Sequence, residues 1–397
     1  MNNKQIGILK ACITALILLF TLNSFGAYQA SQPSGSGTKE SPYLVESLGN
    51  LLWMAQHVSE IPLGTYFLQA ADIDASETKD WRDGEGFLPI GWHDFGTFDK
   101  EQIQYFSGTF DGNGYVISGL YFVPNLSGDG TVSGSGIALF GAVTNSTLKN
   151  IILENVTFGR CYNGGALVGV AVDSIVSNCH AEVNFIQGKQ STNIGGLIGA
   201  IIENAEIVDC SAKVKNLYGS YAGGLIGEFL TKRDNLNLPF VSIKRCRTEG
   251  DVSGDMHVGG IVGSGGSPSL MSDCYSHTNV KGNMFYIGGL MGYGKGFKNC
   301  YVYGKIENGY AITDNNAKCD GVYYCSEFAK DTKNTSAIGK TSMQLLKRET
   351  YQGWDFKNVW FMEEDVSLPS LVWEVPEPLI GSLFLYILCF LLALKIR

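Results

Sequence analysis

The chain has 397 residues, of which 50 are glycine and only 10 proline, and its 38 acidic against 29 basic side chains leave a net charge of −9. That much glycine, without the alanine, leucine and lysine runs of helices, points to short strands joined by tight turns. The acidic balance argues against nucleic acid or an anionic polysaccharide as the main partner.

Residues 1–27 place Lys4 and Lys10 ahead of an apolar run from Ala11 to Phe20 and then small residues. This is the layout of a secretory signal peptide, with cleavage between Gly26 and Ala30. The apolar run is shorter than the ~20 residues a membrane-spanning helix needs. Residues 38–105 read as an N-terminal capping region. Within it Ser47 is placed to N-cap a short helix whose Leu48, Leu51, Leu52 and Ala55 share one face. Such a helix covers the open strand edge at the start of a repeat array.

Residues 106–330 contain the repeat. GALVG at 165–169, GGLIG at 195–199, GGLIG at 223–227, GGIVG at 259–263 and GGLMG at 288–292 recur at steps of 30, 28, 36 and 29. Each copy is followed by a cysteine, at Cys179, Cys210, Cys246, Cys274 and Cys300. From each cysteine the chain alternates with period two, the mark of a half-buried strand. Cys179, Ala181 and Val183 share one face, as do Cys210, Ala212 and Val214, while His180, Glu182, Arg247, Glu249, Tyr275, His277, Tyr301 and Tyr303 fall on the other. A unit this short cannot bury its apolar face alone, whereas stacked units share one core. The expected fold is therefore all-β: a parallel, right-handed β-helix of Gly-rich coils with a short N-terminal capping helix. Propellers and sandwiches use longer repeats or lack one small-residue ladder per coil.

Export permits disulfides. The five repeat cysteines read as a ladder of stacked buried thiols, with bridging between coils as the alternative. Cys161 begins or flanks this ladder; Cys319 and Cys325 close a small loop, or else Cys325 is the last rung. No Cys-x-x-Cys spacing is present, and neither a metal site nor a cofactor is expected.

Residues 331–373 read as a C-terminal cap in which Trp354, Phe356, Trp360 and Phe361 close the far end of the array. Residues 375–397 open on Val375-Pro376-Glu377-Pro378, continue through sixteen uncharged, mostly apolar residues and end with Lys395 and Arg397. A helix of that length spans ~24 Å, with its cationic end on the cytoplasmic side.

Two resemblances arise from these motifs. The tail is similar to the PEP-CTERM sorting tail, although its basic end is two residues and not a cluster. That resemblance implies an exosortase-type processing enzyme as partner, a membrane contact through the C-terminal helix before processing, and removal or exchange of the anchor on the outer side. The GG-[LI]-[IV]-G pentapeptide followed by Asn/Asp-Cys resembles the GLUG motif of bacterial surface and secreted proteins. With FSGTFDGNGYVISGLYF at 106–122, ESPYLVESLGNLLWMAQ at 40–56, GWDFKNVWF at 353–361 and LPSLVW at 368–373, the likeness extends over roughly residues 38–373.

Some proteins with this motif are peptidases, but the chain has no His-Glu-x-x-His, and His57, His93, His180, His257 and His277 stand apart. A G-x-S-x-G elbow is also missing. The enzyme alternative is a β-helix polysaccharide lyase or glycosidase using Asp72, Asp74, Asp111 or Asp129. Each of these, however, sits where a turn or strand end needs an aspartate. A binding role is easier to place: outward Tyr275, His277, Tyr301 and Tyr303, flanked by Arg245 and Arg247, form an aromatic patch for a neutral matrix glycan, or simply pair across strands. The sequence thus reads as an exported, structural or adhesive protein of the cell envelope, surface or extracellular matrix and not an enzyme. A scaffold presenting a face to surface proteins is the other open class.

Overall fold

The computed structural model describes residues 29–91, 104–123, 136–185, 191–230, 240–266, 269–329 and 336–375. The signal segment, Pro376, Glu377, Pro378, the apolar tail, Lys395, Arg397, His93 and Asp129 lie outside the described residues. Among the described residues no helix is long and apolar enough to cross a membrane.

Two large sheets share the strands. In the first, neighbours follow the order Tyr43–Val45, Thr65–Gln69, Gly108–Asp111, Thr147–Lys149, Val168–Ser177, Ile198–Val208, Val241–Lys244, Ser269–Ser272, Phe297–Lys298, Cys319–Asp320. In the second they follow Ile73–Asp74, Val116–Ser118, Ile152–Phe158, His180–Phe185, Ser211–Gly223, Arg247–Gly259, Tyr275–Gly282, Tyr301–Val302, Tyr323–Cys325, Ile338–Lys340. Spatial order equals chain order in both sheets, and these pairings are parallel. A chain that alternates between two such sheets winds as a parallel β-helix, the fold expected from the repeat.

One corner of each coil is set by a single residue before the cysteine position. Asn150, Asn178, Asp209, Arg245, Asp273 and Asn299 there have φ between 49° and 56°, a left-handed conformation that Asn and Asp adopt more readily than other side-chain-bearing residues. These corners are tied to each other along the axis. Asn178 Nδ2 donates to Asn150 Oδ1 at 2.9 Å, Asn150 Nδ2 to Asp111 Oδ1 at 2.8 Å, and Asn299 Nδ2 to Asp273 Oδ1 at 3.1 Å. Arg245, the one cation in the series, instead grips Asp209 at two points, 2.6 and 2.7 Å.

The next residue points inward. Strand register places Ile151, Cys179, Cys210, Cys246, Cys274, Cys300 and Val322 in one file, each buried. All eight cysteines within the described residues are free. Each rung thiol lies near the carbonyl two residues back, for example Cys274 Sγ to Ser272 O at 3.1 Å. Cys161 and Cys325 are therefore not rungs, since Ile151 and Val322 hold those places, and Cys319 and Cys325 close no loop.

The opposite corner explains the pentapeptide. A Cβ on its first glycine, at Gly195, Gly223, Gly259 or Gly288, would strike the carbonyl three residues on. A Cβ on the second, at Gly196, Gly224, Gly260 or Gly289, would strike backbone of the following coil. The motif is thus a record of close backbone approach, not of flexibility.

Helix α1, Leu48–Gln56, covers the first coil as expected: Ser47 accepts from Asn50 N, and Leu48, Leu51, Leu52 and Ala55 are buried. The C-terminal residues behave differently. Helix α2, Ser342–Leu345, carries a Thr341 and Gln344 capping box. Ile338–Lys340 pairs with the last coil, and the chain beyond α2 folds back from there over the outer face of the second sheet. Trp354, Trp360 and Leu371 form a second core there with Tyr275, Tyr301 and Tyr323.

Candidate functional site

The aromatic patch expected in solvent lies beneath this C-terminal strap. Tyr275 and Tyr301 stack at 5.0 Å and 12°, yet they are only 5% and 0% exposed. Tyr301 packs against Trp354 and Trp360, with centroids at 6.2 and 6.1 Å, and donates its hydroxyl to Pro369 O at 2.6 Å. Its oxygen then accepts from His277 Nε2 at 2.9 Å. Tyr303 meets Phe328 at 5.1 Å, and Arg247 Nε sits 2.6 Å from Glu374 Oε2. Alternation put these residues on the outer side of the sheet correctly. What it omitted was a late segment rich in tryptophan that itself needs apolar surface to cover. The expected ligand face is corrected accordingly: it is an intramolecular seam.

Beside the seam runs a groove of about 770 Å³ lined by residues including Glu182, Lys213, Glu249, Asp251 and His277. Lys213 Nζ lies 2.8 Å from Glu182 and 3.9 Å from Glu249, and Arg247 lies 3.6 Å from Glu249. These charges compensate one another from coil to coil. Burial, with the Arg247 charge second, pushes the His277 imidazole down to about 4 and so keeps it neutral. The candidate catalytic aspartates have structural partners: Asp72 ties one coil to the next by accepting from Val116 N at 2.8 Å, and Asp74 accepts locally from Ser76 N at 2.9 Å. Asp111 accepts from Asn113 N and Asn150 Nδ2 and pairs with Lys149 at 2.9 Å. Although burial opposes it, those partners hold the Asp111 carboxyl below the usual range. Among the described residues no three His, Cys, Asp or Glu side chains converge to hold a metal ion.

The glycine corner carries an accessible arrangement that the sequence reading missed. Two residues before the pentapeptide, register aligns Asn163, Asn193, Tyr221 and His257, with Tyr286 following. One residue after it, register aligns Val170, Ala200, Glu228, Ser264 and Tyr293. The later copies thus build an aromatic row. Centroids are 4.8 Å apart for Tyr221 and His257, 4.7 Å for His257 and Tyr286, and 5.1 Å for Tyr286 and Tyr293. Tyr286 is 37% exposed, and the adjoining Phe285 and Met284 are 57% and 56% exposed.

Polar groups border the row. Burial lifts the Glu228 carboxyl to about 7, and burial followed by the Glu228 charge raises the Tyr221 phenol. Burial lowers His257 to about 4. Asp255 accepts from Tyr218 Oη at 2.9 Å and from Asn283 Nδ2 at 3.0 Å. Asp314 accepts from Tyr286 N at 3.2 Å. The available sequence signal was the recurrence of Tyr221, His257 and Tyr286 at one fixed place before the glycines. A search for strand alternation passes over it, because it spans a turn.

No protein-family model matches the chain. Over 184 residues it is 34% identical to a halomucin of Haloquadratum walsbyi, a match covering 46% of this chain and 2% of that protein. Over 186 residues it is 27% identical to a candidate Gly-rich membrane protein of Evansella cellulosilytica, covering 45% of this chain and 19% of that protein. The chain therefore spans only a small part of the curated relatives it matches. Among solved structures, a candidate immunoglobulin A1 protease from Bacteroides ovatus aligns over 86% of this chain and 95% of that one, with 18% identity and a TM-score of 0.46.

Proposed function

We propose that this chain is an exported β-helix of the cell envelope, cell surface or extracellular matrix with a structural and adhesive role. The observation that carries the reading is the unbroken parallel ladder, with one strand of each coil paired to the next from Tyr43 to Lys340. Such a solenoid has one continuous core and presents long, repeating outer faces, which suits display and contact more than a single enclosed reaction centre. The likeness to a halomucin and to a Gly-rich membrane protein supports the same reading.

In this reading residues 1–27 direct export. The GLUG-like body is displayed, and the PEP-CTERM-like tail, with Val375-Pro376-Glu377-Pro378, the apolar stretch, Lys395 and Arg397, is handled by an exosortase-type enzyme. The partners are extracellular polysaccharide or surface proteins. Fractionation of the native host with intact-mass analysis tests it. The expected product begins between Gly26 and Ala30, has lost residues after Pro378, and appears in the outer-surface or medium fraction. Full-length chain in the inner membrane or cytoplasm overturns the reading.

A further inference from the structure

We propose that the row of Tyr221, His257, Tyr286 and Tyr293 binds an uncharged glycan lying along the axis of the β-helix. The inference rests on the reading of the chain as an exported surface protein and supplies the site and ligand class that reading lacks. Parallel coils repeat at about 4.8 Å, and the Tyr221, His257 and Tyr286 rings follow that repeat at 4.8 and 4.7 Å. A pyranose in an extended chain advances by a comparable length, so successive sugars meet successive rings.

Sugar rings have an apolar C–H face and a hydroxyl edge, and a fitting site offers aromatic surface with a few placed polar groups. The corner has both. Phe285 and Met284 extend the apolar surface at one end, while the carboxylates of Asp255 and Asp314 border it as hydroxyl acceptors. An acidic border disfavours uronate or sulfated chains through like-charge repulsion, which selects the neutral class.

Backbone geometry adds a second line. Tyr286 has φ 52°, a left-handed conformation that is strained for a bulky side chain and that glycine would adopt freely. Strain of this kind persists at ligand sites where a particular side chain must be presented.

The test is titration calorimetry of the full-length chain with cellohexaose, xylohexaose and chitohexaose, alongside polygalacturonate and a proline-rich decapeptide. At least one neutral hexasaccharide is expected to bind, and Tyr286→Ala and Tyr221→Ala are each expected to weaken it about tenfold, the loss typical of one stacking platform. Tyr286→Trp should retain binding, and Tyr115→Ala, remote from the row in sequence, should not change it. Melting curves identify any variant that has lost its fold, and Tyr286→Trp then carries the comparison. Absence of binding to all three neutral oligosaccharides, binding undiminished in a folded Tyr221→Ala, Tyr286→Ala double variant, or preference for the peptide or the polyanion overturns the inference. A chain that fractionates to the surface yet binds no oligosaccharide loses this inference and keeps the proposed function. One that binds but stays in the cytoplasm does the reverse.

Discussion

Glu374 joins two parts of the chain that are far apart in sequence: its carboxylate lies 2.6 Å from Arg247 Nε and accepts the Tyr275 hydroxyl at 2.8 Å. Burial raises the Glu374 carboxyl while Arg247 pulls it back. Trp373 beside it stacks on His180 at 4.8 Å and donates to Arg245 O at 3.1 Å. Glu374→Ala leaves Arg247 without this partner in a mostly covered seam, at a cost of about 3 kcal/mol. Urea denaturation should show a lower midpoint, and tryptophan emission should shift to the red below that midpoint as the strap loosens. An unchanged midpoint and spectrum would mean that the strap is held by its aromatics alone.

Stability should fall in mild acid. His180, His257 and His277 are each pushed to about 4, with burial the first cause. The folded state therefore favours the neutral imidazole. Its contribution is complete above the unfolded pKa near 6.5 and is lost as pH falls towards 4, about 3 kcal/mol each for His180 and His277 and less for the more exposed His257, whose charge solvent screens. Glu228 works in the other direction: with its carboxyl raised to about 7, its penalty grows as pH rises from about 4.5 through 7. His257→Phe should flatten the acid loss and Glu228→Gln should steepen it. Urea midpoints measured from pH 4 to 7.5 check both signs.

Much of this was legible in the residues. Period-two alternation from each cysteine named Ala181, Val183, Ala212 and Val214 as interior, and all four are buried. Ser47 and the leucines of α1 were readable because helix caps and apolar faces are local. The position of Tyr275 and Tyr301 was not, since alternation reports which side of a sheet a residue takes and not what docks on that side later. Trp354 and Trp360 carried the hint: such large apolar rings require a surface to cover, and the nearest one available was the outer face of the second sheet.

The rung cysteines should be inert in the folded protein. Burial pushes the Cys210, Cys246 and Cys274 thiols well above their ordinary range, and the thiolate is the reactive form. Iodoacetamide followed by peptide mapping should leave Cys179, Cys210, Cys246, Cys274 and Cys300 unmodified until urea is added. Labelling of any rung in native buffer, or a disulfide linking two rungs, would contradict the stacked-thiol arrangement.

The first glycine of the pentapeptide, which is glycine in all five copies, should tolerate no side chain. In Gly259→Ala the new methyl would meet Val262 O and the backbone nitrogen of Gly292. Neither is the end of a flexible side chain, so the coil itself must move, at a cost of at least about 3 kcal/mol. Gly114→Ala has nothing within 4 Å, and its penalty should come from its positive φ alone, about 1 kcal/mol. Thermal melting of the two variants measures the difference.

The strap also ends on the side of the β-helix. Trp373 is bound at the coils of His180 and Arg245, midway along the stack, so Val375, the last described residue, sits beside the flank of the β-helix and not at its end. A pulling force applied at Val375 would peel the strap away one contact at a time, starting at Glu374 and Trp373, and would reach the ladder of coils only after Tyr275 and Tyr301 had been uncovered.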